Sequence, residues 1–264
     1  MFHSSHLTRY AAFGIHLVTS LAIFLSLSAV IVLLWYPGPL FQIDGGWEGL
    51  RIVAFVDVVL GPLLTLIVYR AGKPGLKFDM GVIIALQLVA LGYGIFTLHD
   101  NRPVLLVFAD DRINAVPLAV AAEMDPSGKL LQRFAERPAR VVVVMPSDPI
   151  EHADYILQRM RARKPLHLEY QDYAPMADHW PAVIDDSLDI EHYVRSNDHW
   201  QAALHAEISK LGKTPGELVF LPVEGRYKSG ILIADPDTGA FIGYLDIRFD
   251  PALARKKRLV RDRL

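Results

Sequence analysis

A long uncharged apolar segment near the start of the chain restricts the possible folds more than any other feature. Residues 13–34, FGIHLVTSLAIFLSLSAVIVLL, contain no acidic residue, lysine or arginine. A helix needs about 20 consecutive apolar residues to cross the hydrocarbon core of a bilayer. Two further apolar stretches follow at residues 52–69 and 82–98. The sequence therefore predicts three transmembrane helices and a lipid bilayer as their surroundings.

Beyond the third stretch, the chain alternates between strand-like and helix-like patterns. A hairpin is predicted at residues 102–118, and a buried strand at the β-branched run 139–146. A helix capped by Ser147 follows, and another is predicted over residues 198–211. The last strands flank a turn at residues 235–239. These patterns predict a mixed α+β soluble domain.

The length of 264 residues is sufficient for both parts. We predict an α+β protein with a membrane domain of three transmembrane helices at residues 1–99 and the soluble domain at residues 100–264. A cleaved signal peptide is an alternative for the first segment, with Arg9 as its charged flank. Its apolar core, however, is longer than the 7 to 15 residues of a signal sequence, and Trp35 and Tyr36 follow it as interfacial aromatic residues. A retained span is therefore expected.

The basic residues near the span ends predict the orientation of the chain. Arg9 precedes the first span, and Arg70, Lys73 and Lys77 lie between the second and third, whereas the loop between the first and second has no basic residue before Arg51. Short loops rich in Lys and Arg stay in the cytoplasm. The N-terminus is thus expected in the cytoplasm and the soluble domain in the periplasm of a bacterial inner membrane.

A basic tail, RKKRLVRDRL at residues 255–264, does not fit this orientation as simply. Such a cluster suits the anionic cytoplasmic leaflet. Charges far from any span have little influence on threading, however. We interpret the tail first as a solvated terminus, and second as a contact for an acidic partner or lipid headgroups.

Asp57 is an ionisable residue inside the second predicted span, and such residues are functional candidates because their burial in lipid is costly. Arg51 lies about 120° around the helix from it, so a partner is expected on another helix. The helical rise places Asp57 in the outer third of the membrane. Ser26, Ser28, Tyr93 and Thr97 are predicted at that depth. In one interpretation Asp57 hydrogen-bonds those hydroxyls, or is protonated, and so ties the three helices together.

A second polar set, His16, Thr65 and Gln87, is predicted near the cytoplasmic ends of the three spans. One interpretation is hydrogen bonding between the helices. The other is a polar notch open to the helix of a client protein. Gly61 and Pro62 lie between the two polar levels, where the proline removes a backbone donor and a groove could form.

The composition excludes several classes of function. The chain has no cysteine, so disulfides, thiolate zinc sites and cysteine nucleophiles are excluded, and a net charge of −2 gives no sign of nucleic-acid binding. No GxSxG, P-loop or HExxH motif is present. The repeated DHW at residues 178–180 and 198–200 lacks the compact spacing of a zinc site. We expect no enzyme activity, no catalytic or metal-binding residue and no cofactor.

Several segments of the first 112 residues resemble the type IV pilin accessory proteins of the TfpX/TfpZ kind. They are AFGIHL, WYPGPLFQIDGGWEGLRIV, VDVVLGPLLTLIVY, GKPGLKFD and RPVLLVFADDR, and the motif positions are Trp35, Pro37, Gly38, Pro39, Gly61 and Pro62. The resemblance implies an inner-membrane protein with a periplasmic domain. It also implies that the protein assists a type IV pilin, the major pilin, in a chaperone-like way before or during pilus assembly. It implies no catalytic residue.

Two hypotheses about function follow. In the first, the protein shields a waiting pilin. If the carboxylate of the pilin helix lies in the cytoplasmic half of the membrane, His16 and Gln87 match its depth better than Asp57, which would repel it. In the second, the soluble domain is a periplasmic sensor that signals to a partner through the spans. A defined pocket with convergent polar groups in the soluble domain would favour the sensor, and a flat aromatic surface would favour the chaperone.

Overall fold

A computed structural model describes residues 8–254 of the chain. The chain divides into two compact units between Arg102 and Pro103. The first holds the apolar helices, and the second holds a β-sheet with further helices. The fold is therefore α+β, as predicted. The basic tail at residues 255–264 lies outside the described residues.

The first unit is helical throughout, and three of its helices are long and apolar enough to cross a membrane. We call them the first span, Arg9–Trp35, the second span, Gly46–Val68, and the third span, Leu76–Asp100. The first span is the α-helix α1 followed by a π-helical turn, and the second contains a π-helical segment between two α-helices. The individual elements are α1 (Arg9–Val30), π turn Ile31–Trp35, α2 (Leu40–Ile43), α3 (Gly46–Val53), π segment Ala54–Leu60, α4 (Gly61–Val68) and α5 (Leu76–Asp100).

The second span begins at Gly46, whereas the sequence predicted its start at residue 52. Gly45 precedes the helix with φ of 100°, a left-handed conformation that favours glycine. Glu48 lies in the first turn, where a carboxylate interacts favourably with the positive end of the helix dipole. Hydropathy alone missed this turn because it contains Glu48 and glycines rather than aliphatic residues.

The first and third spans both pack on the second span. At the end nearest the loop 36–45, the three are joined by a small apolar core of Ile31, Tyr36, Val53 and Leu98. Gly49 allows this approach, because a Cβ atom at that position would lie 2.2 Å from Leu98 Cδ2. The bundle is therefore closed at this end.

The second unit is built on one seven-stranded sheet with the order β4-β3-β1-β2-β5-β6-β7. The pairs β1/β3 and β2/β5 are parallel, and the others are antiparallel. The strands are β1 (Pro103–Ala109), β2 (Arg112–Pro117), β3 (Ala139–Val143), β4 (Tyr173–Pro175), β5 (Val219–Glu224), β6 (Ser229–Ala234) and β7 (Phe241–Leu245). The hairpin predicted at residues 102–118 is confirmed: Asp110 and Asp111 form its turn with positive φ.

The helices of this unit agree with the sequence in part. They are α6 (Leu118–Met124), α7 (Lys129–Gln132), α8 (Pro149–Ala162), α9 (Trp180–Asp185), α10 (Ile190–Val194) and α11 (Asp198–Leu211). Helix α11 has the predicted bounds and ends at Gly212, whose φ is 64°. The predicted Ser147 cap of α8 is wrong, because Asp148 is the cap and its Oδ1 accepts the N–H groups of Ile150 and Glu151 at 2.9 and 3.0 Å.

Two apolar clusters fill this unit. One joins β1, β2 and β3 to α6 and α7, and the other joins β5, β6 and β7 to α10 and α11. The strand predicted as continuously buried, β3, alternates instead: Ala139, Val141 and Val143 are buried, while Arg140 and Val142 are half-buried. The Arg140 guanidinium donates to Gly239 O at 2.8 Å. A β-branched run is thus compatible with a one-sided strand.

Candidate functional site

The first unit, which we call the membrane unit, contains a cavity of about 450 Å³ beside the second span. The first and third spans line its two sides, and the second span lines its base. About half of the lining side chains are aliphatic. In the first span, Thr19 and Ser20 follow His16 by three and four residues, and the polar residues of the second span are eight apart, spacings that place each set on one helix face. We call this cavity the polar groove; its polar lining residues are His16, Thr19, Ser20, Asp57, Thr65 and Gln87.

His16 and Thr65 join the first span to the second within the polar groove. His16 Nδ1 and Thr65 Oγ1 share a hydrogen bond of 2.6 Å. Thr65 is buried, and so is Ser20, which lies one helical turn from His16 on the same face. The sequence analysis did not name Ser20 as a candidate. Its spacing of four residues from His16 could have indicated that it lies on the same helix face.

Gln87 of the third span lies against Gly61 of the second, one turn from Thr65. A Cβ atom built on Gly61 would lie 1.8 Å from Gln87 Nε2. The missing side chain of Gly61 therefore provides the space that the Gln87 amide occupies. His16, Thr65 and Gln87 all reach one groove, with His16 and Thr65 in direct contact and Gln87 at the level of Gly61.

Pro62 coincides with a change of helix type in the second span. The segment Ala54–Leu60 is π-helical, and the N–H of Gly61 donates to Val56 O, five residues earlier. Pro62 has no N–H to continue either hydrogen-bond pattern. Single π-helical turns inside α-helices frequently occur at functional sites. Asp57 lies within this segment and shares a helix face with Gly61 and Thr65.

Asp57 is 4% exposed and lines the polar groove. Within residues 8–254 no residue forms a hydrogen bond or an ion pair with its carboxyl group, although His16 of the first span is close enough to interact with it electrostatically. It lies midway between Gly46 and Val68, the ends of the second span. The sequence placed it in the outer third because it predicted a later start for this helix. A central position makes the burial of a lone carboxyl group still less favourable.

None of the neighbours that the sequence assigned to Asp57 lines the polar groove with it. Ser26 and Ser28 donate to the carbonyls of Ala22 and Phe24 in their own helix, at 2.9 and 2.6 Å. Tyr93 is 72% exposed on the third span. Ser and Thr hydroxyls often bond the carbonyl four residues earlier in a helix, so depth alone does not predict a partner in another helix.

The motif residues Trp35, Pro37, Gly38 and Pro39 lie at the closed end of the bundle, away from the polar groove. Trp35 contacts His99 edge to face, with ring centroids 5.3 Å apart. The neighbouring Tyr36 donates its hydroxyl to Leu98 O at 2.9 Å. Gly38 turns the chain with φ of 61°. Trp35 and Tyr36 therefore fasten the first span to the third.

In the second unit, which we call the soluble unit, the buried ionisable groups form contacts within the fold. Glu169 is 5% exposed and pairs with Arg159 at 2.6 Å and Lys164 at 3.0 Å. Burial raises the pKa of Tyr173 beside it. Burial and the hydrogen bond to Asp172 likewise raise the pKa of Tyr155. Phenols kept protonated in this way act as donors and core residues.

The aromatic residues of the two DHW repeats belong to the interior rather than to an exposed surface. Trp180 is buried, and its Nε1 donates to Pro236 O at 2.7 Å. Trp200 stacks on Tyr193 with centroids 5.3 Å apart. Within the described residues, no group of three or more His, Asp or Glu side chains is arranged to hold a metal ion.

A second cavity, of about 380 Å³, lies at the edge of the sheet beside Trp180. Its two cationic residues already have partners in the fold. Arg133 donates to the carbonyls of Tyr170 and Tyr173, and Arg140 donates to Gly239 O. The arginines of this cavity therefore serve the fold of the unit. A further cavity of the same unit, of about 460 Å³, is lined by charged residues of the β5–β6 turn and of the segment after β7, among them Arg226, Lys228 and Asp246.

Three curated proteins of Dichelobacter nodosus are similar to this chain. The fimbrial assembly protein of serogroups C1 and C2 is 38% identical over 103 residues, which are 38% of this chain and 78% of that protein. The chain belongs to the fimbrial assembly protein family. The serogroup I protein is 38% identical over 106 residues, 39% of this chain and 41% of its own length. The serogroup E1 protein is 38% identical over 103 residues, 38% of this chain and 40% of its own length.

The chain thus spans about two fifths of the length of the serogroup I and E1 relatives. No family model matches it. No solved structure matches it either.

Proposed function

We propose that this chain is a membrane-anchored factor for pilus assembly that holds a type IV pilin, the major pilin, in a chaperone-like way and carries out no chemistry of its own. The observation that carries the proposal is the similarity to fimbrial assembly proteins across 78% of one relative. Three apolar helices supply the anchor. The resemblance to the TfpX/TfpZ kind of accessory protein supplies the pilin as client.

The proposed location is the bacterial inner membrane, with the N-terminus in the cytoplasm and the soluble unit in the periplasm. Arg9, Arg70, Lys73 and Lys77 support this orientation, since all four are expected on one side of the bilayer. A reporter enzyme fused after Leu264 tests it. Activity of a periplasm-specific reporter is the expected result, and activity only of a cytosol-specific reporter would overturn the orientation.

A holding role fits the distribution of polar groups in the two units. The polar groove has a buried carboxyl group without a partner inside an apolar bundle. The cavity beside Trp180 uses its arginines for internal contacts. An enzyme would need a clustered acid, base or nucleophile. The buried Asp57 carboxyl group makes the membrane unit the better candidate for client binding.

The decisive test is deletion of the gene in its own bacterium, followed by measurement of pilin level and surface pili. We expect both to fall, and we expect the unaltered gene supplied in trans to restore them. A variant with the soluble unit unchanged but the first span replaced by an unrelated apolar helix should fail to restore them. Unchanged pilin and pili after deletion would end the proposal.

A further inference from the structure

The polar groove opens sideways, toward the hydrocarbon of the bilayer. Ile15 of the first span and Ile84 and Leu88 of the third span line it, and each is more than half exposed. Both of these spans pack on the second span, so the groove lies between them along its face. An occupant must therefore come from within the bilayer, as a lipid chain or as a transmembrane helix.

The Asp57 carboxyl group distinguishes these two occupants. It is 4% exposed, and although His16 is close enough to interact with it electrostatically, no described residue donates a hydrogen bond to it or forms an ion pair with it. A carboxyl group buried in an apolar environment without a hydrogen bond is unfavourable. An acyl chain offers no hydrogen-bond donor, so it would leave Asp57 unsatisfied. A helix that carries a hydroxyl, amide or ammonium group at the same depth would satisfy it.

The length and lining of the groove also fit a helix. From Asp57 to Tyr69, the residue that follows the second span, the chain rises by about 18 Å, which is more than three helical turns. Ser20, a small buried residue of the first span, lines the groove and allows a neighbouring backbone to come close, as small residues do in membrane helix packing.

We propose that the polar groove binds one apolar transmembrane helix of another protein, and that this helix presents a hydrogen-bond donor to Asp57. The proposal deepens the pilin-holding function and rests on it, since it gives the client a binding site and a required chemical group. It also separates two roles within the groove. Asp57 recognises the client, while His16 and Thr65 hold the first two spans together.

Photo-crosslinking in intact cells tests the location of the site. A benzophenone amino acid is placed at Ile15 or Leu88, which line the groove, or at Val18 or Val89, which are exposed on the same spans but do not line it. We expect the pilin to be crosslinked from positions 15 and 88, with at least tenfold less product from positions 18 and 89. Equal yields at all four positions would overturn the groove as the site.

Two substitutions test the chemistry at fixed crosslinker positions. Asp57→Leu should lower the crosslink from position 88 at least tenfold, and Asp57→Asn, which keeps an acceptor oxygen, should lower it less. The crosslinked peptide should carry a Ser, Thr, Asn, Gln, Lys or amino-terminal group at the depth of Asp57. Replacing that group by Leu should lower the yield as Asp57→Leu does. Undiminished yield with Asp57→Leu would overturn the role of Asp57.

The identity of the crosslinked species separates this inference from the proposed function. Lipid alone, or a second copy of this chain, would overturn the proposed occupant. Another single-span protein with the required donor, together with unchanged pili in the deletion strain, would support the groove site and overturn the pilin-holding function. Loss of pili without any crosslink from positions 15 and 88 would overturn the groove site and support the pilin-holding function.

Discussion

Two buried carboxyl groups, one in each unit, are exposed to nearly the same extent and differ completely in their surroundings. Glu169 in the soluble unit is 5% exposed and pairs with Arg159 and Lys164. Asp57 in the membrane unit is 4% exposed and has neither a hydrogen-bond nor an ion-pair partner within residues 8–254. Burial alone therefore does not tell a structural carboxyl group from a candidate binding group.

The difference indicates which unit has a polar group available to bind another molecule. A carboxyl group with two cations contributes to folding, and its removal leaves those cations without their partner. A carboxyl group without a hydrogen bond or an ion pair contributes nothing of this kind, and its position in an apolar helix supports the proposal of a partner outside the chain. Four predictions test this contrast, and they run from the largest expected change in stability to the smallest.

Replacing Glu169 by alanine should cause the largest loss of stability. Removing one partner of a buried ion pair costs about 3 to 5 kcal/mol. We expect the lower value here, because the partly exposed Arg159 and Lys164 can turn toward solvent. Thermal unfolding of the whole protein in detergent, followed by circular dichroism, should shift by about 6 °C or more. Glu136→Ala is the matched control, since its exposed pair with Arg140 contributes less than about 1 kcal/mol. Equal shifts of the thermal midpoint in the two variants would show that the buried ion pairs of Glu169 stabilise the fold no more than the exposed pair of Glu136.

Acid should weaken the soluble unit through Asp235, which organises the turn at residues 235–239. Hydrogen bonds from Lys213 and from the N–H and hydroxyl of Thr238 lower the pKa of Asp235 from 3.8 to about 2. A lowered pKa stabilises the fold above pH 3.8, and this stabilisation is lost as the pH falls through about 2.

The thermal midpoint measured between pH 5 and pH 2 should therefore fall, and Asp235→Asn should make the fall shallower. Some slope should remain in the variant, because hydrogen bonds also lower the pKa of Asp125 and Glu217. A pH profile identical to that of the unaltered protein would contradict the prediction.

Thr65→Val should destabilise the membrane unit slightly. It keeps the shape of the side chain but removes the 2.6 Å hydrogen bond to His16, and such bonds average about 0.6 kcal/mol inside membrane proteins. Titration with sodium dodecyl sulfate measures the change. Thr19→Val is the control, because the Thr19 hydroxyl donates only to Ile15 O in its own helix. Equal losses of stability in the two variants would show that the His16–Thr65 hydrogen bond does not stabilise the contact between the first and second spans.

Asp57→Asn should cost the least stability, because the substitution removes no hydrogen bond or ion pair seen in residues 8–254 and replaces a carboxyl group whose burial is unfavourable by a neutral amide. The same detergent titration measures it, with Thr65→Val as the reference. A loss as large as that of Glu169→Ala would mean that Asp57 is a structural group. The contrast between the two carboxyl groups would then be wrong.

The sequence predicted those features that depend on local chemistry. The three apolar spans, the hairpin turn at Asp110 and Asp111 and the helix ended by Gly212 all follow from residues next to one another in the chain. The start of the second span was predicted too late, since Glu48 masked the helix in the hydropathy pattern. That error moved Asp57 from the middle of its span to the outer third.

The candidate site was less accessible from sequence, because it depends on which helix packs on which. Depth predicted that His16, Thr65 and Gln87 could be neighbours, but not that Gln87 would lie on Gly61. The order of the seven strands, with β2 beside β5, likewise depends on contacts between distant segments. Such pairings are set by the packing of whole elements, which single-residue patterns do not encode.

The aromatic fastening at residues 35 and 36 has a mechanical consequence. Trp35 and Tyr36 tie the end of the first span to His99 and Leu98 at the end of the third, while the π-helical segment and Pro62 interrupt the regular hydrogen bonding of the span between them. A bundle hinged at one end widens by bending, without dissociating. Loading and release of a guest helix would then be lateral movements in the plane of the bilayer, with no need to pull the guest lengthwise through the bundle.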